Sequence, residues 1–500
     1  MSEFKMIRAG GSFSRALSVV GTTCLLLSAC DLSPDYETPK VELGEGYRNE
    51  PAPGLAELPH PASTWWRNYG SAELDALVEE ALANNHDLKA ATQRVAQAQA
   101  QAGVAISPML PTVTGTAKNT LTSPRDGIAT TSVNPMGKSE RELVFNAAVS
   151  YELDLWGKNR LGWESALSSA MSNVYDRETV STTLVAEVVS NYMQFIQASE
   201  RLAVARRTIG TMESGVEAMR ERVRLGESTE IELAQQRHQL ATAYATVPPL
   251  QRSREEARDR LAALLGRPPR TLQIKTDSFD NFKPPVIGPG MPSDMLLRRP
   301  DIRKAEANLM AANANIGAAR AKLLPSFSLT GERGQGSQWL GVLISPTSLY
   351  YNVAASITQT LFDFGKLDSE IDSAKARKEE LAETYAQTVM NALRDTEDAL
   401  AATRYTAEAQ DAQQAVVDLA RHSYSLAQEA FKLGMVDFLY LLESERAQYS
   451  AEDNLAQAKY NRMNASVLLF KALGGGFEDE SGRRYAAAPQ VPEGWQAPNN

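Results

Sequence analysis

Two stretches of this chain are equally long and free of proline: Asn159 to Leu225, just after Trp156-Gly157-Lys158, and Leu367 to Leu433, just after Phe364-Gly365-Lys366. At about 1.5 Å rise per residue either would form a helix roughly 100 Å long, far beyond the width of a compact core. The fold must accommodate two such rods. Each is preceded by an alternating segment and followed by Leu-Gly.

The rods belong to an internal repeat. Asp87-Leu88-Lys89 matches Asp301-Ile302-Arg303, Gly103 matches Gly317, and Leu110-Pro111 matches Leu324-Pro325, all at one constant offset. Farther on a second, slightly shorter offset takes over: Gly157-Lys158 matches Gly365-Lys366, Leu225-Gly226 matches Leu433-Gly434, and Leu265-Gly266 matches Leu473-Gly474. The change of offset falls between the matched regions, where loops of unequal length are tolerated.

Ahead of the first rod Leu143, Phe145, Ala147, Val149, Tyr151, Leu153 and Leu155 alternate with Asn146, Ser150, Glu152 and Asp154. Ahead of the second, Tyr351, Val353, Ala355, Ile357 and Leu361 alternate with Asn352, Ser356, Thr358 and Thr360. A period of two with one apolar face predicts strands near 143–155 and 350–362, paired with strands near 112–122 and 326–333. Their loops carry Pro124, Gly127, Pro135 and Gly137, then Gly334, Gly336 and Pro346. Lengths of about 10 to 13 residues suit a tilted bilayer crossing. Four strands cannot close a water-filled barrel and an open edge cannot face lipid, so several chains would share one barrel of eight, twelve or sixteen strands.

The rods themselves show a 4,3 spacing. Leu167, Met171, Val174, Val185, Val188, Tyr192, Phe195 and Leu202 mark it in the first, and Leu367, Ile371, Ala374, Leu381, Tyr385, Ala392 and Ala399 in the second. A repeat near 3.5 predicts coiled-coil contact. Return helices are expected over Ser228 to Leu265, kinked or broken at Pro248-Pro249, and over Asp437 to Leu473. A shorter helix is expected over Asp301 to Leu323, and Ser71 is placed to cap another that carries Glu73 and Asp75 in its first turn.

The two cysteines, Cys24 and Cys30, both lie upstream of Asp31, so no disulfide staples the body. Lys5, Arg8 and Arg15 precede an apolar run, Ala16 to Leu27, that ends in Leu27-Ser28-Ala29-Cys30. This is an export signal whose last four residues resemble a bacterial lipobox, making Cys30 the lipidated first residue of the mature chain. Asp31, next to it, is the residue that tends to retain enteric lipoproteins at the inner membrane. Pro34, Pro39, Pro51, Pro53, Pro59 and Pro61 make the following stretch an extended tether. The formal charge of −10 for the whole chain argues against nucleic acid as the main partner.

Lipobox, tandem repeat, hairpin before a long rod, Leu-Gly tips and the ending Ala472-Leu473-Gly474-Gly475-Gly476 together resemble the TolC-type outer-membrane efflux proteins, specifically the lipidated OprM/NodT-like branch. The resemblance runs from Thr64-Trp65-Trp66 to Gly476. It implies an α+β membrane protein with internal duplication: a homotrimer whose four strands per chain form one twelve-stranded outer-membrane β-barrel, continued by a long α-helical periplasmic barrel. The implied segments are a signal peptide at 1–29, a lipidated tether at 30–70, repeats at 71–266 and 301–474, an equatorial linker at 267–300 and a tail at 475–500. The implied role is a passive exit duct for drugs, solvents and toxic compounds, served by a periplasmic adaptor (membrane fusion) protein and an inner-membrane RND-type pump. By the same resemblance Asp437, Leu439, Glu443 and Arg446 fall at the periplasmic gate. Leu225, Gly226, Leu433 and Gly434 are the expected adaptor-docking tips.

Other classes fit less of the chain. Paired acids such as Glu443 and Glu445 could hydrolyse glycosides, but such pairs arise by chance on long charged helices. His60, His86, His238 and His422 show no ligand spacing, and no phosphate loop or nucleophile elbow appears, so no catalytic residue, cofactor or metal is expected. A periplasmic coiled-coil lipoprotein scaffold or adaptor explains the rods but not two matched hairpins. Type I secretion or metal efflux stays open within the channel class.

Overall fold

The computed structural model describes residues 32–44, 46–49, 62–122, 140–280, 282–285, 288, 292 and 295–477. Cys30, Asp31, the signal segment and the tail beyond 477 lie outside the described residues, as do Pro124, Gly127, Pro135 and Gly137. The elements run α1 (Ala72–Asn84), α2 (His86–Ala105), β1 (Thr112–Thr122), β2 (Glu140–Leu153), α3 (Lys158–Arg224), α4 (Glu230–Leu264), α5 (Pro300–Ala321), β3 (Ser326–Ser337), β4 (Leu349–Thr358), α6 (Lys366–Lys432) and α7 (Phe438–Ala472). The chain divides into two units: one holds residues through Pro39 with Ala96–Ser172 and Glu306–Thr384, and the other holds Lys40–Val95, Asn173–Ala305 and the residues from Tyr385 on.

The first unit contains one antiparallel sheet of order β1-β2-β3-β4. β2 begins before the expected Leu143 and stops at Leu153, β3 runs on to Ser337, and β4 ends at Thr358 instead of Phe362. Thr112 pairs with Ser150, and their counterparts in the second repeat, Ser326 by the longer offset and Thr358 by the shorter, pair with each other. The duplication therefore extends to strand register. Each rod starts at a Gly-Lys whose glycine is left-handed, Gly157 at φ 73° and Gly365 at φ 80°. An aspartate caps each start. Asp154 accepts from the N–H groups of Asn159 (3.1 Å) and Arg160 (2.8 Å), and Asp363 from those of Gly365 and Leu367 (3.0 Å each).

In this unit the expected tether is partly tied down. Arg320 donates to the Leu32 carbonyl (3.1 Å) and Asn313 to that of Pro34 (2.8 Å), so the extended chain lies along α5. Gly317 makes room for it: a Cβ there would stand 2.8 Å from Ser33 Cα and 2.7 Å from Leu161 Cδ1. Proline-rich composition reveals stiffness but not the slot that receives the strap.

The second unit has its main core around Trp65, Tyr69, Leu74, Val188, Tyr192, Leu261 and Phe470, all buried. Trp65 stacks on Phe470 with centroids 4.3 Å apart, and Ser71 caps α1 by accepting from the Leu74 N–H (3.2 Å). From Tyr385 to Phe431 the buried and half-buried residues of α6 keep the 4,3 spacing through Val389, Ala392, Thr396, Ala399, Val417 and Ala427. That is the coiled-coil repeat. The rest of the strap is pinned here as well, Glu397 accepting from the N–H groups of Arg48 (2.6 Å) and Asn49 (3.1 Å).

Of the two outcomes expected at Pro248-Pro249, a kink or a break, the break does not occur: α4 is continuous from Glu230 to Leu264. Each proline removes one N–H donor, but Leu250 beside them is buried against Leu202 and Ala205 on α3, with Val247 and Tyr449 packed on the same cluster. Packing on both sides of the lesion holds the segment where propensity would release it.

Replacing Gly317 by leucine should expel the strap from α5. Limited proteolysis of the full-length chain is expected to cut within residues 32–44 at least about tenfold faster than in the parent, an opening of roughly 1.4 kcal/mol or more.

Candidate functional site

The sheet has two unlike faces because alternate side chains leave a strand on opposite sides. Even-numbered positions place Thr114, Thr116, Lys118, Asn146, Ser150, Glu332, Tyr350 and Asn352 together. On that face Tyr350 donates to Glu332 (2.6 Å), Asn146 also bonds Glu332, and Ser328 meets Ser356 (2.7 Å). Odd-numbered positions form a mainly apolar face, interrupted by Asn119, Arg141, Arg333 and Gln335, on which Val113 (69% exposed), Tyr351 (82%) and Val353 (79%) stand open. Such a face is costly in water and favourable in hydrocarbon. The strands have 11, 14, 12 and 10 residues, enough for a tilted crossing. Among the described residues no helix is long and apolar enough to cross a membrane.

The far ends of the rods are two turns built alike. Gly226 N–H bonds the Val223 carbonyl (3.0 Å) and Glu227 N–H that of Arg222 (2.8 Å). Gly434 and Met435 do the same to Phe431 (3.1 Å) and Ala430 (2.9 Å). Both are Schellman closures, and glycine supplies the left-handed residue, at φ 79° and 70°. Three residues later a cap opens the return helix. Thr229 forms a reciprocal capping box with Glu232, and Asp437 accepts from the Tyr440 N–H (2.9 Å). Leu225, Leu433 and Met435 remain exposed on the turns. Behind them Val216, Met219, Leu233, Phe438 and Leu442 form one buried cluster that joins the two helical hairpins.

Of the residues assigned to the gate, the structure brings together Glu443 and Arg446, an exposed ion pair (3.0 Å) one turn apart on α7. Asp437 is engaged at the helix cap, and Leu439 is exposed. Leu225-Gly226 and Leu433-Gly434 occupy the two turns.

Two acids that the sequence reading passed over lie deeper in α7. Glu452 is 6% exposed and takes Arg207 from α3, Arg421 from α6 (2.8 Å) and Gln448 from its own helix (3.3 Å). Burial opposes its charge, but the hydrogen bond from Arg421 and the Arg207 charge overcome this and hold the carboxyl below its ordinary value. Next to it Asp453 forms a two-pronged pair with Arg201 (2.7 and 2.9 Å). Glu445, one heptad before Glu452, is also buried. Burial pushes its carboxyl up against the opposing influence of Gln236, and burial together with the Glu445 charge pushes Tyr424 up to about 12. A signal existed: Phe438, Glu445 and Glu452 are spaced by seven, placing both acids on an apolar seam.

The two acids act oppositely on stability. Glu452 has a lowered folded value, so its contribution is present above the ordinary 4.5 and lost as pH falls through the folded value; Glu445 has a raised one, so its penalty is present at neutral pH and relieved on acidification. Glu452→Gln should therefore destabilise the fold at neutral pH by about 1–2 kcal/mol, once screening at the half-exposed arginines is allowed for, and so lower the thermal midpoint. Glu445→Gln should leave the midpoint unchanged or raise it. Melting curves at neutral pH and below pH 4 measure both.

A family model described as outer membrane efflux protein matches residues 77–267 and 291–475, one match per repeat. The chain is 34% identical over 461 residues to the pyoverdine export outer membrane protein OpmQ of Pseudomonas aeruginosa, covering 92% of this chain and 96% of that one. It is 28% identical over 488 residues to the toluene efflux pump outer membrane protein TtgC of Pseudomonas putida, covering 96% and 100%. The solved open state of the Neisseria gonorrhoeae MtrE outer membrane channel superposes with a TM-score of 0.81 at 31% identity, over 89% of this chain and 98% of that one. With its duplicated hairpins and paired helical tips, this chain belongs to the outer membrane efflux protein family.

Proposed function

We propose that three copies of this chain close one barrel in the outer membrane and act as the passive exit duct of an efflux system. The observation that carries this reading is the amphipathic sheet whose two edges are unpaired among the described residues, joined directly to two 67-residue helices with coiled-coil periodicity. A two-faced sheet suits a wall between lipid and water, and the unpaired edges call for further strands. Passive transport follows from the parts used: the polar face, the helices and the tips offer a path, and energy for export would come from an inner-membrane RND-type pump through a periplasmic adaptor.

The exposed leucines of the two turns, Leu225 and Leu433, suit an apolar adaptor contact, with Gly226 and Gly434 setting the reversal. Leu439, Glu443 and Arg446 follow on α7, where symmetry copies of Glu443 and Asp437 would form rings of like charge. Cys30 would add a lipid anchor. Small molecules are the proposed cargo, supported by the similarity to OpmQ and TtgC, whose names specify pyoverdine and toluene.

Two measurements test the reading. Deleting the gene should sensitise cells to a subset of dyes, antibiotics, solvents or metals, while unchanged sensitivity across all four groups would refute a small-molecule duct. In a planar bilayer, Glu443→Ala combined with Asp437→Asn, which retains a cap oxygen, should raise single-channel conductance. Unchanged conductance in an assembled trimer would remove these residues from the gate.

A further inference from the structure

The four strands sort their charges by sign. No odd position carries an acid, whereas Glu142, Glu152 and Glu332 all stand at even ones. The only charged residues of the odd face are two arginines, Arg141 and Arg333. On the polar face a cation has an acid within reach, since Lys118 lies 3.8 Å from Glu142. Arg333 is exposed, and among the described residues it has neither an ion pair nor a hydrogen bond. No carboxylate of the strands shares its face, so an anion that neutralises it has to come from outside the sheet.

Position along the strands says where that anion lies. Successive rungs of the odd face are two residues apart, about 7 Å along a strand. The three rungs nearest the rod starts, from Leu153–Phe327–Ile357 up to Val149–Gly331–Val353, contain no charged or amide side chain. The fourth holds Arg333 with Tyr351, and farther out come Gln335, Asn119 and Arg141. A charge facing lipid is costly at the bilayer midplane and tolerated at its boundary, where tyrosine is also favoured. The fourth rung therefore marks the edge of the apolar band remote from the rods, at the level of lipid headgroups. The surface is hollow there. Gly115 and Ala147 on the Arg333 rung and Ala117 on the next have little or no side chain, and beside Phe145 and Leu349 they leave a depression of about 560 Å³. Arg333 and Ala147 belong to β3 and β2, the inner strands, so the hollow does not depend on what meets the edges of the sheet.

We propose that this hollow binds a phosphorylated glycolipid of the outer leaflet: the hollow receives the headgroup, Arg333 pairs with its phosphate, and the acyl chains run inward over Val113, Val149 and Val353. The planar guanidinium matches two phosphate oxygens at once. A free phosphate would fill little of a hollow this size and gain nothing from the apolar rungs below it, whereas a lipid uses both. Arg141 donates to Asn119 (3.1 Å) and lies three rungs farther out, about 20 Å along the strand, so it is not part of the site. The proposal rests on the reading of the chain as an outer-membrane barrel and names a ligand for its lipid face.

Native mass measurements on the full-length protein in detergent test the site. The probe is lipid A carrying its phosphates, compared with the same lipid after phosphatase treatment. Loss of the charge-assisted contact should weaken binding at least about tenfold, whether the phosphates are removed from the lipid or Arg333→Gln removes the guanidinium. Arg333→Lys, which keeps the charge, should recover most of that loss, and Lys118→Gln on the polar face should bind as the parent does. Equal binding of the two lipids by a trimeric parent, or unchanged binding by Arg333→Gln, overturns the site and leaves the barrel standing. Displacement of the lipid by excess inorganic phosphate assigns Arg333 to a free anion and overturns the lipid as ligand. A parent that is monomeric in the same spectra and conducts no ions in a planar bilayer overturns the barrel reading itself.

Discussion

Backbone N–H and C=O groups along the rim of a β-sheet need partners, and in hydrocarbon an unmet group costs several kcal/mol. That requirement governs the strand unit of this protein. Four strands carry an apolar face and a polar face, and they end in two open edges. The apolar face suits lipid while the edges do not tolerate it. Further strands have to meet those edges, and the proposed three-copy barrel would supply them.

The helical unit solves a different problem. A helix of 67 residues cannot bury itself in a compact core, so it is stabilised along its length by seams. α7 carries two of them. Phe438, Leu442, Glu445 and Glu452 lie on one, and Ser444, Ala451 and Leu455 lie on the other. Near the tips the seams are apolar. Farther along, Glu452 with two arginines and Asp453 with Arg201 place charged pairs between the helices. A buried ion pair contributes less net stability than apolar packing, but it penalises a shift in register, because a one-turn slide leaves a charge without its partner. Glu445 forms no salt bridge among the described residues, and burial holds its carboxyl above the ordinary value.

Much of this could be read from local pattern. The rods, their Gly-Lys starts and Leu-Gly ends, the Ser71 cap and the alternating strands all rest on interactions spanning a few residues, and the structure places the rods within one residue of the expected ends. The errors share one cause. Pro248-Pro249 reads as a kink or a break, yet the helix runs on through it, with Leu250 held by Leu202 on another helix. Glu445 and Glu452 read as ordinary acids on a charged rod, and their burial depends on which helices lie beside them. The strap reads as a free tether, and Gly317, Asn313 and Arg320 receive it from a distant part of the sequence.

By itself, the sequence determined the periodicities: two rods of equal length, two alternating hairpins, and a repeat whose offsets carry through to strand register. These follow from the geometry of helix and strand, which act within a few residues. Only the tertiary structure decided which acids are buried, which prolines are tolerated, where the strap lies and that β4 ends at Thr358. Each of those depends on a neighbour distant in sequence, and the free energy of a buried charge, a helix through proline or a strand edge is set by that neighbour.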